Sequence, residues 1–227
     1  GIRDVERSRG LGDVYKRQIV DFIYDVATPN GYLAHRVVPW FEKRTGTKFN
    51  YIPCLAGGIF KLTNNTPPLI ATANVKNKAD YFFIEINRFI KKHNLTKFKN
   101  NSNFPQNSLN IQRGAVAAEN LGILKEYVES TMSAMWERDL NIQELDILEK
   151  VLKDDGIDHK SILNMIQTRE CKDKLIENTS WAVENGAFGI PTFLVDDQIF
   201  FGKDHLYQLE AVSYTHLRAH ETSLHRV

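Results

Sequence analysis

The sequence has few cysteines, no excess of one charge and no long apolar run. Its only cysteines are Cys54 and Cys171, and they form no C-x-x-C pair, so neither a disulfide framework nor a zinc knuckle is indicated. The formal net charge of +1 gives no electrostatic basis for binding nucleic acid. No apolar run approaches the roughly 20 residues that span a bilayer. We therefore expect no nucleic-acid or membrane partner, and a reducing compartment such as the cytoplasm.

Both ends of the chain are predicted to be non-native. A DNA string that encodes SRGLGDVYKRQ near the start has a reverse complement that, read in another frame, encodes VSYTHLRAHE near the end. The pair resembles a sequencing adapter translated from both strands, so residues 1–18 and 212–227 are set apart from the fold. This removes the i, i+4 pair His216 and His220 as a metal site and leaves a net charge of about −2. No metal is expected.

The first part of the remaining chain predicts a βαβ unit. Ile19–Asp25 alternates apolar and polar residues, which is typical of a strand that enters a core. Thr28 supplies an N-cap hydroxyl, Pro29 suits the first helical position, and the helix should stop at Gly46. The stretch 48–53 predicts a second strand. A right-handed parallel crossover is expected.

The middle of the chain predicts helices and almost no strand. A Gly-rich turn at 55–59 precedes this region. Helical spacing of apolar residues predicts six helices, with boundaries good to about 2 to 4 residues. They are placed near Asn77 to His93, Ser108 to Asn120, Ile123 to Trp136, Gln143 to Asp154, Asp158 to Gln167 and Arg169 to Asn185.

The end of the chain returns to strands. Thr192–Val195 and Gln198–Phe201 flank an Asp196-Asp197 turn, which predicts a hairpin, and residues 203–211 predict a closing helix. The order βαβ, helices, ββα is that of an α/β thioredoxin-like fold with an all-helical insertion, built on a mixed sheet of about four strands. The predicted units are a thioredoxin-like domain at 19–76 and 186–211, and an insertion at 77–185. The tryptophans are expected in the core: Trp40, Trp136 and Trp181.

The start of the first helix is the predicted place for chemistry. In such a βαβ unit, free N–H groups and the helix dipole favour an anion there, and a thiolate is such an anion. Residues 27–30 read Ala-Thr-Pro-Asn where disulfide oxidoreductases have C-x-x-C, so any sulfur must come from a bound molecule. Thr28 as an N-cap and nothing more is the alternative.

A proline precedes the third strand. A cis Ile190-Pro191 bond would direct the backbone N–H and C=O of Ile190 at whatever lies over the helix start. The motif is weak by itself, because few X-Pro bonds are cis.

Five ordered stretches together carry a resemblance to a known family. They are VDFIYDVATPNGYLA (20–34), LAGGIFKLTNNTPP (55–68), the spacing of Lys78, Tyr81 and Arg88, NFPQNSLNIQRGAVAAE (103–119) and FGIPTFLVDDQIFFGKDHL (188–206). Across nearly all of 19–211, the chain resembles the 2-hydroxychromene-2-carboxylate isomerases and the kappa-class glutathione transferases, within the DsbA-like superfamily.

The resemblance implies glutathione as cofactor and a small aromatic substrate. It implies that the hydroxyl of Thr28 hydrogen-bonds the glutathione sulfur and that Ile190, next to Pro191, contacts glutathione through its backbone. Polar contacts are implied at Asn65 and around Asp204. For the isomerases the implied reaction is reversible thiolate addition to an unsaturated aromatic pyruvate, bond rotation and elimination. A homodimer is a further expectation from the family.

Two residues depart from the family pattern. Thr28 stands where the family usually has serine, and its extra methyl group stiffens the side chain. His205 stands where the family usually has arginine, so a permanent clamp for a glutathione carboxylate is missing. Two alternatives to the isomerase stay open. One is a kappa-like glutathione transferase or thiol-dependent oxidoreductase, and the other is a thioredoxin-like binding module without turnover.

Overall fold

The computed structural model describes residues 19–211. The terminal segments predicted to be non-native, 1–18 and 212–227, lie outside the described residues, as do His216 and His220. Within the described residues, no helix is long and apolar enough to cross a bilayer.

A mixed four-stranded sheet is the centre of the molecule. Its strands, in chain order, are β1 (Ile19–Tyr24), β2 (Lys48–Pro53), β3 (Thr192–Val195) and β4 (Gln198–Phe201). The spatial order is β2-β1-β3-β4, with β1 parallel to β2 and antiparallel to β3. Ile23 lies opposite Thr192, and Thr192 lies opposite Phe201 in the β3–β4 hairpin. The predicted strands and hairpin are confirmed.

The first helix, α1 (Pro29–Thr45), crosses from the end of β1 to the start of β2. It continues through Pro39 and ends at Gly46, whose φ of 74° is left-handed and whose N–H donates to the Glu42 carbonyl at 2.9 Å. The glycine is suited to this conformation because it has no Cβ. The predicted end of the helix is confirmed.

The remaining helices lie between β2 and β3. They are α2 (Ala56–Leu62), α3 (Pro68–Thr72), α4 (Lys78–His93), α5 (Leu109–Asn120), α6 (Leu124–Trp136), α7 (Leu145–Asp154), α8 (His159–Met165) and α9 (Arg169–Glu184). After β4, a 3₁₀ turn (Lys203–His205) runs into a helical segment at 206–211. The six predicted middle helices are therefore confirmed within a few residues.

The prediction of a Gly-rich turn at 55–59 is wrong, because these residues begin helix α2. Its glycines lower the intrinsic helix propensity, which hid the helix. One of them permits close packing: a Cβ on Gly58 would lie 2.9 Å from the Thr179 methyl group of α9. Tertiary packing of α2 against α9 thus overrides the local preference.

Two apolar clusters cover the sheet. The larger joins α1, α5 and α6 to Phe22 and Phe193 of the central strands. The smaller joins Ile23 and Cys54 to α2 and α9. Trp136 is buried as predicted. The prediction that Trp40 lies in the core is wrong, since Trp40 is 49% exposed and the guanidinium carbon of Arg44 lies 4.3 Å from the centre of its ring.

Candidate functional site

The predicted site residues converge at one end of the sheet. Strands β1, β2 and β4 finish there and β3 begins there, because β1 and β2 are parallel and both lie antiparallel to β3, as does β4. Thr28 follows the end of β1, and Pro191 directly precedes β3. The Gly202 N–H, just after β4, donates to the Pro191 carbonyl at 2.8 Å. The fold thus brings distant segments together at this end.

Thr28 is the N-cap residue of α1, with extended backbone angles of −108° and 124°. Its hydroxyl makes no capping bond to the helix and instead donates to the Asp25 carbonyl at 2.8 Å, so the predicted capping role of the hydroxyl is wrong. The Thr28 N–H donates to the same carbonyl at 3.1 Å. The hydroxyl therefore bonds to the backbone of the preceding loop. Local bonds of this kind compete with helix capping by Ser and Thr side chains.

The first turn of α1 is suited to an anion. The first intrahelical bond runs from the Tyr32 N–H to the Thr28 carbonyl at 3.1 Å, so the amides of Asn30 and Gly31 precede the helical ladder. This turn carries no acidic residue, whereas the last turn carries Lys43 and Arg44. The macrodipole therefore favours negative charge beside Thr28.

A buried carboxylate, which the sequence reasoning missed, organises the loop before α1. Asp25 is 1% exposed, and its carboxylate accepts hydrogen bonds from the Ala27 N–H at 2.9 Å, the Ala56 N–H at 2.9 Å and the Ser108 hydroxyl at 2.7 Å. Burial raises the pKa of the Asp25 carboxyl, and these three donors oppose the rise. Asp25 thus joins the loop of Thr28 to the starts of α2 and α5. A lone aspartate after an apolar strand was the only sequence signal for it.

Gln112 of α5 is a second residue that the sequence reasoning missed. It is fully buried, and its amide nitrogen donates to the Tyr24 carbonyl at 3.0 Å and the Cys54 carbonyl at 2.9 Å. Its amide oxygen accepts from the Val26 N–H at 3.2 Å. One side chain of the helical region therefore satisfies backbone groups at the ends of both parallel strands. No local pattern in α5 distinguishes this residue from a surface glutamine.

The peptide bond between Ile190 and Pro191 is cis. Both residues are buried at the site end of the sheet. Within residues 19–211, no hydrogen bond engages the backbone N–H or C=O of Ile190. This backbone can therefore pair with an extended ligand.

Asn65 holds the segment that leads into Pro191. Its side-chain nitrogen donates to the Phe188 carbonyl at 2.8 Å, and its side-chain oxygen accepts from the Thr66 N–H at 2.8 Å. The residue is exposed, so further contacts are accessible to it. The structure thus gives Asn65 a structural partner close to Ile190.

Asp204 and His205 lie in the 3₁₀ turn after β4 and are both exposed. The Asp204 carboxylate accepts from the ammonium of Lys203 at 2.5 Å. Lys203 is only 3% exposed, and its ammonium lies 4.8 Å from the centre of the Phe89 ring. A cationic group of a ligand at Asp204 would therefore share the carboxylate with Lys203.

A groove of about 450 Å³ lies beside this turn, between the second half of α1, α4 and residues 203–210. Of the predicted site residues, it includes Asp204 and excludes Thr28, Asn65 and Pro191. Several of its charged side chains are paired, for example Arg88 with Glu85 at 2.5 Å. The groove is therefore separate from the start of α1.

The two cysteines supply no nucleophile. Both are free and buried, and the Cys54 thiol lies 3.4 Å from the Asn178 carbonyl. Burial raises the pKa of the Cys54 thiol well above its usual range, with Asp25 adding to the rise. A reactive thiolate needs the opposite environment. Among residues 19–211, no cluster of His, Cys, Asp or Glu is arranged to hold a metal ion.

Comparison with known proteins decides the family. A model described as the DSBA-like thioredoxin domain matches residues 19–212. The chain belongs to this family. The predicted family and thioredoxin-like α/β fold are thereby confirmed.

Several relatives of this family member are enzymes. Glutathione S-transferase kappa 1 of Rattus norvegicus is 28% identical over 210 residues, covering 87% of this chain and 90% of the relative. A 2-hydroxychromene-2-carboxylate isomerase of Pseudomonas putida is 23% identical over 195 residues, covering 85% and 93%. A solved 2-hydroxychromene-2-carboxylate isomerase superposes with a TM-score of 0.77 at 22% identity, covering 91% of this chain and 98% of that one, and it supports the fold. The relatives support an enzyme.

Proposed function

We propose that this DsbA-like protein is a glutathione-dependent isomerase of the 2-hydroxychromene-2-carboxylate type. The observation that carries the proposal is the start of α1, where Thr28 occupies the place at which oxidoreductases have C-x-x-C and the amides of Asn30 and Gly31 precede the helical ladder. The chain has no cysteine there, so the sulfur belongs to a bound molecule. Relatives named isomerase and glutathione transferase supply the candidate.

The residues present fit glutathione, an extended peptide with a thiol, two carboxylates and an ammonium group. The Ile190 backbone beside Pro191 would pair with its peptide groups. Asn65 and Asp204 would make polar contacts, and a ring N–H of His205 would donate to a carboxylate. Thr28 would hold the sulfur.

Bound glutathione would supply a thiolate for the reversible addition, bond rotation and elimination proposed on the unsaturated side chain of an aromatic α-keto acid. The Thr28 hydroxyl would turn from the Asp25 carbonyl to donate to the thiolate, and the amides of α1 would add a favourable field. Stabilising the thiolate makes it available as nucleophile and leaving group near neutral pH. The proposed substrate is a small aromatic compound, as in aromatic catabolism.

The direct experiment combines binding and turnover. Calorimetry with glutathione on the whole chain should show binding at millimolar concentration, and an ultraviolet assay should show hydroxychromene carboxylate interconversion that requires glutathione. Absence of binding would overturn the cofactor assignment. A glutathione concentration that stays constant during turnover identifies an isomerase.

Variants of Thr28 test the assigned hydrogen bond. Thr28→Val removes the hydroxyl but keeps the shape, so kcat/KM should fall about 10- to 100-fold, as expected for a lost hydrogen bond to a charged group. Thr28→Ser keeps the hydroxyl and should stay within about fivefold of wild type by the same reasoning. Equal rates for the valine variant and wild type would contradict the role of Thr28.

A kappa-like transferase or thiol-dependent oxidoreductase is the second candidate, favoured by the 28% identity to the rat transferase. It consumes glutathione during turnover. A thioredoxin-like module without turnover is the third candidate, and it predicts glutathione binding with no rate that depends on Thr28. We further propose a cytoplasmic location and a homodimer, with no nucleic-acid, membrane or metal partner.

A further inference from the structure

Gly31 lies in the first turn of α1, directly beside the hydroxyl of Thr28. A Cβ added at Gly31 would lie 2.4 Å from Thr28 Oγ1 and 3.0 Å from the Asp25 carbonyl oxygen. The first distance is far below van der Waals contact. The space that the absent Cβ leaves is thus the space that the hydroxyl and its acceptor occupy.

The backbone does not require glycine at this position. Glycines with positive φ occur elsewhere in residues 19–211, for example at Gly46 and Gly202, but Gly31 is not among them. A glycine inside a helix lowers stability relative to alanine. The close approach of Thr28 is therefore the feature that alanine would disturb.

Threonine makes this contact consequential. Its Cβ carries two heavy atoms, so a side chain at residue 31 that displaces Oγ1 must turn the whole group to another rotamer. Oγ1 would then leave the Asp25 carbonyl, 2.8 Å away. With Oγ1 in its present place, rotation about the Cβ–Oγ bond alone redirects the hydrogen from this carbonyl to a sulfur.

We propose that Gly31 is a positioning residue for the Thr28 hydroxyl: it leaves room for Oγ1 at the place from which the hydroxyl can turn from the Asp25 carbonyl to the thiol of the bound cofactor. The proposal rests on the function proposed above. Thr28 and Gly31 form a pair: the severe contact at 2.4 Å exists only while residue 28 carries an oxygen, whereas the contact of 3.0 Å with the Asp25 carbonyl needs a shift of only a few tenths of an ångström. Removing that oxygen should remove the effect of a side chain at 31.

The experiment is a double-mutant cycle of wild type, Thr28→Ala, Gly31→Ala and the double variant. The readout is the pKa of bound glutathione, from the ultraviolet absorbance of its thiolate against pH. Gly31→Ala should raise this pKa by about one pH unit, as expected for a weakened hydrogen bond to a charged group. The double variant should match Thr28→Ala. Gly57→Ala is the control, because a Cβ at Gly57 of α2 meets nothing within 4 Å, and its thiol pKa should equal that of wild type.

Melting temperatures provide a readout that needs no glutathione. The double variant should melt about 2 °C above Thr28→Ala, because alanine is the better helix former, whereas Gly31→Ala should not melt above wild type. Should Gly31→Ala not fold, the double variant must still fold if the clash with Oγ1 is the cause. A double variant less stable than Thr28→Ala overturns the pairing.

The outcomes separate the two proposals. Equal thiol pKa values for wild type and Thr28→Ala overturn the function assigned to Thr28, and the role of Gly31 with it. A difference between those two, with Gly31→Ala equal to wild type, overturns the role of Gly31 alone.

Discussion

Asp25 shows how a buried carboxylate can hold the loop before α1, the place proposed for the thiol. Its carboxylate accepts from three donors, and its backbone carbonyl accepts from both the N–H and the hydroxyl of Thr28. A buried carboxylate requires hydrogen-bond donors of this kind, since an unpaired buried charge is costly in free energy. The position of Thr28 therefore depends on the hydrogen bonds that hold Asp25 in place.

Asp25→Asn should lower the free energy of unfolding by about 2 kcal/mol, because an amide nitrogen must face at least one of the three donors. Urea unfolding of both proteins measures this difference. Asp21→Asn is the control, since Asp21 accepts from the exposed Asn50 amide at 2.8 Å and its loss should change stability by less than about 0.5 kcal/mol. Equal losses at the two positions would refute the network.

The sequence predicted residues whose role follows from local pattern, and it missed those whose partners lie far along the chain. Thr28 follows a strand signal and precedes a proline, so the helix start was predictable. Gln112 bonds to Tyr24, 88 residues away, and nothing near Gln112 encodes that partner. The hydrogen bond from the Thr28 hydroxyl to the Asp25 carbonyl depends on the geometry of the loop, which helix and strand propensities do not encode.

At the scale of elements, an ionic cluster joins α1 to α6. Arg36 donates to both oxygens of Glu129, at 2.7 and 2.8 Å, and to Glu137 at 2.6 Å. His35 lies 3.2 Å from Glu129 through its Nε2. The hydrogen bonds to His35 and Arg36 lower the pKa of Glu129 to about 2, against the opposing effect of partial burial. The cluster stabilises the helix that carries Thr28.

This lowered pKa predicts a loss of stability in acid. The folded protein binds the Glu129 proton less tightly than the unfolded chain, so the stabilisation is present above the ordinary value of 4.5 and is lost as the pH falls towards about 2. Since Glu129 is half exposed, solvent screening limits the effect to about 1 kcal/mol. Denaturant unfolding at pH 7, 4 and 3 should show that the free energy of unfolding of wild type exceeds that of Glu129→Gln at pH 7 and that this difference shrinks as the pH falls. A constant difference between the two proteins would disprove the linkage.

At the scale of the whole molecule, exposed apolar side chains concentrate in one stretch of the described chain. Helices α3 and α4 pack together, and many large exposed apolar residues of the described chain lie between 62 and 84. They are Leu62, Leu69, Ile70, Val75, Tyr81, Phe83 and Ile84. Several exposed apolar residues close together mark an interaction surface more often than single exposed residues do. This surface is the proposed interface of the homodimer.

Light scattering after size exclusion should give the mass of a dimer for wild type. Ile70→Glu combined with Ile84→Glu should give a monomer, because burying two unpaired carboxylates in an apolar interface is unfavourable. Ile176→Glu is the matched control, since Ile176 on α9 is 63% exposed against 66% for Ile70, and it should stay dimeric. A monomeric wild type, or a double variant that stays dimeric, would exclude this interface.

Gln112 has a consequence for how such a protein can be divided or redesigned. The residue belongs to the predicted insertion, yet it completes the hydrogen bonding of Tyr24, Val26 and Cys54 at the strand ends. Excising 77–185 would remove the hydrogen-bond partners of three backbone groups beside the proposed thiol site. The ends of the parallel strands and helix α5 are therefore a single mechanical unit. A displacement of α5 would reach the loop of Thr28 by two routes, through the Gln112 amide and through the Ser108 hydroxyl that donates to Asp25.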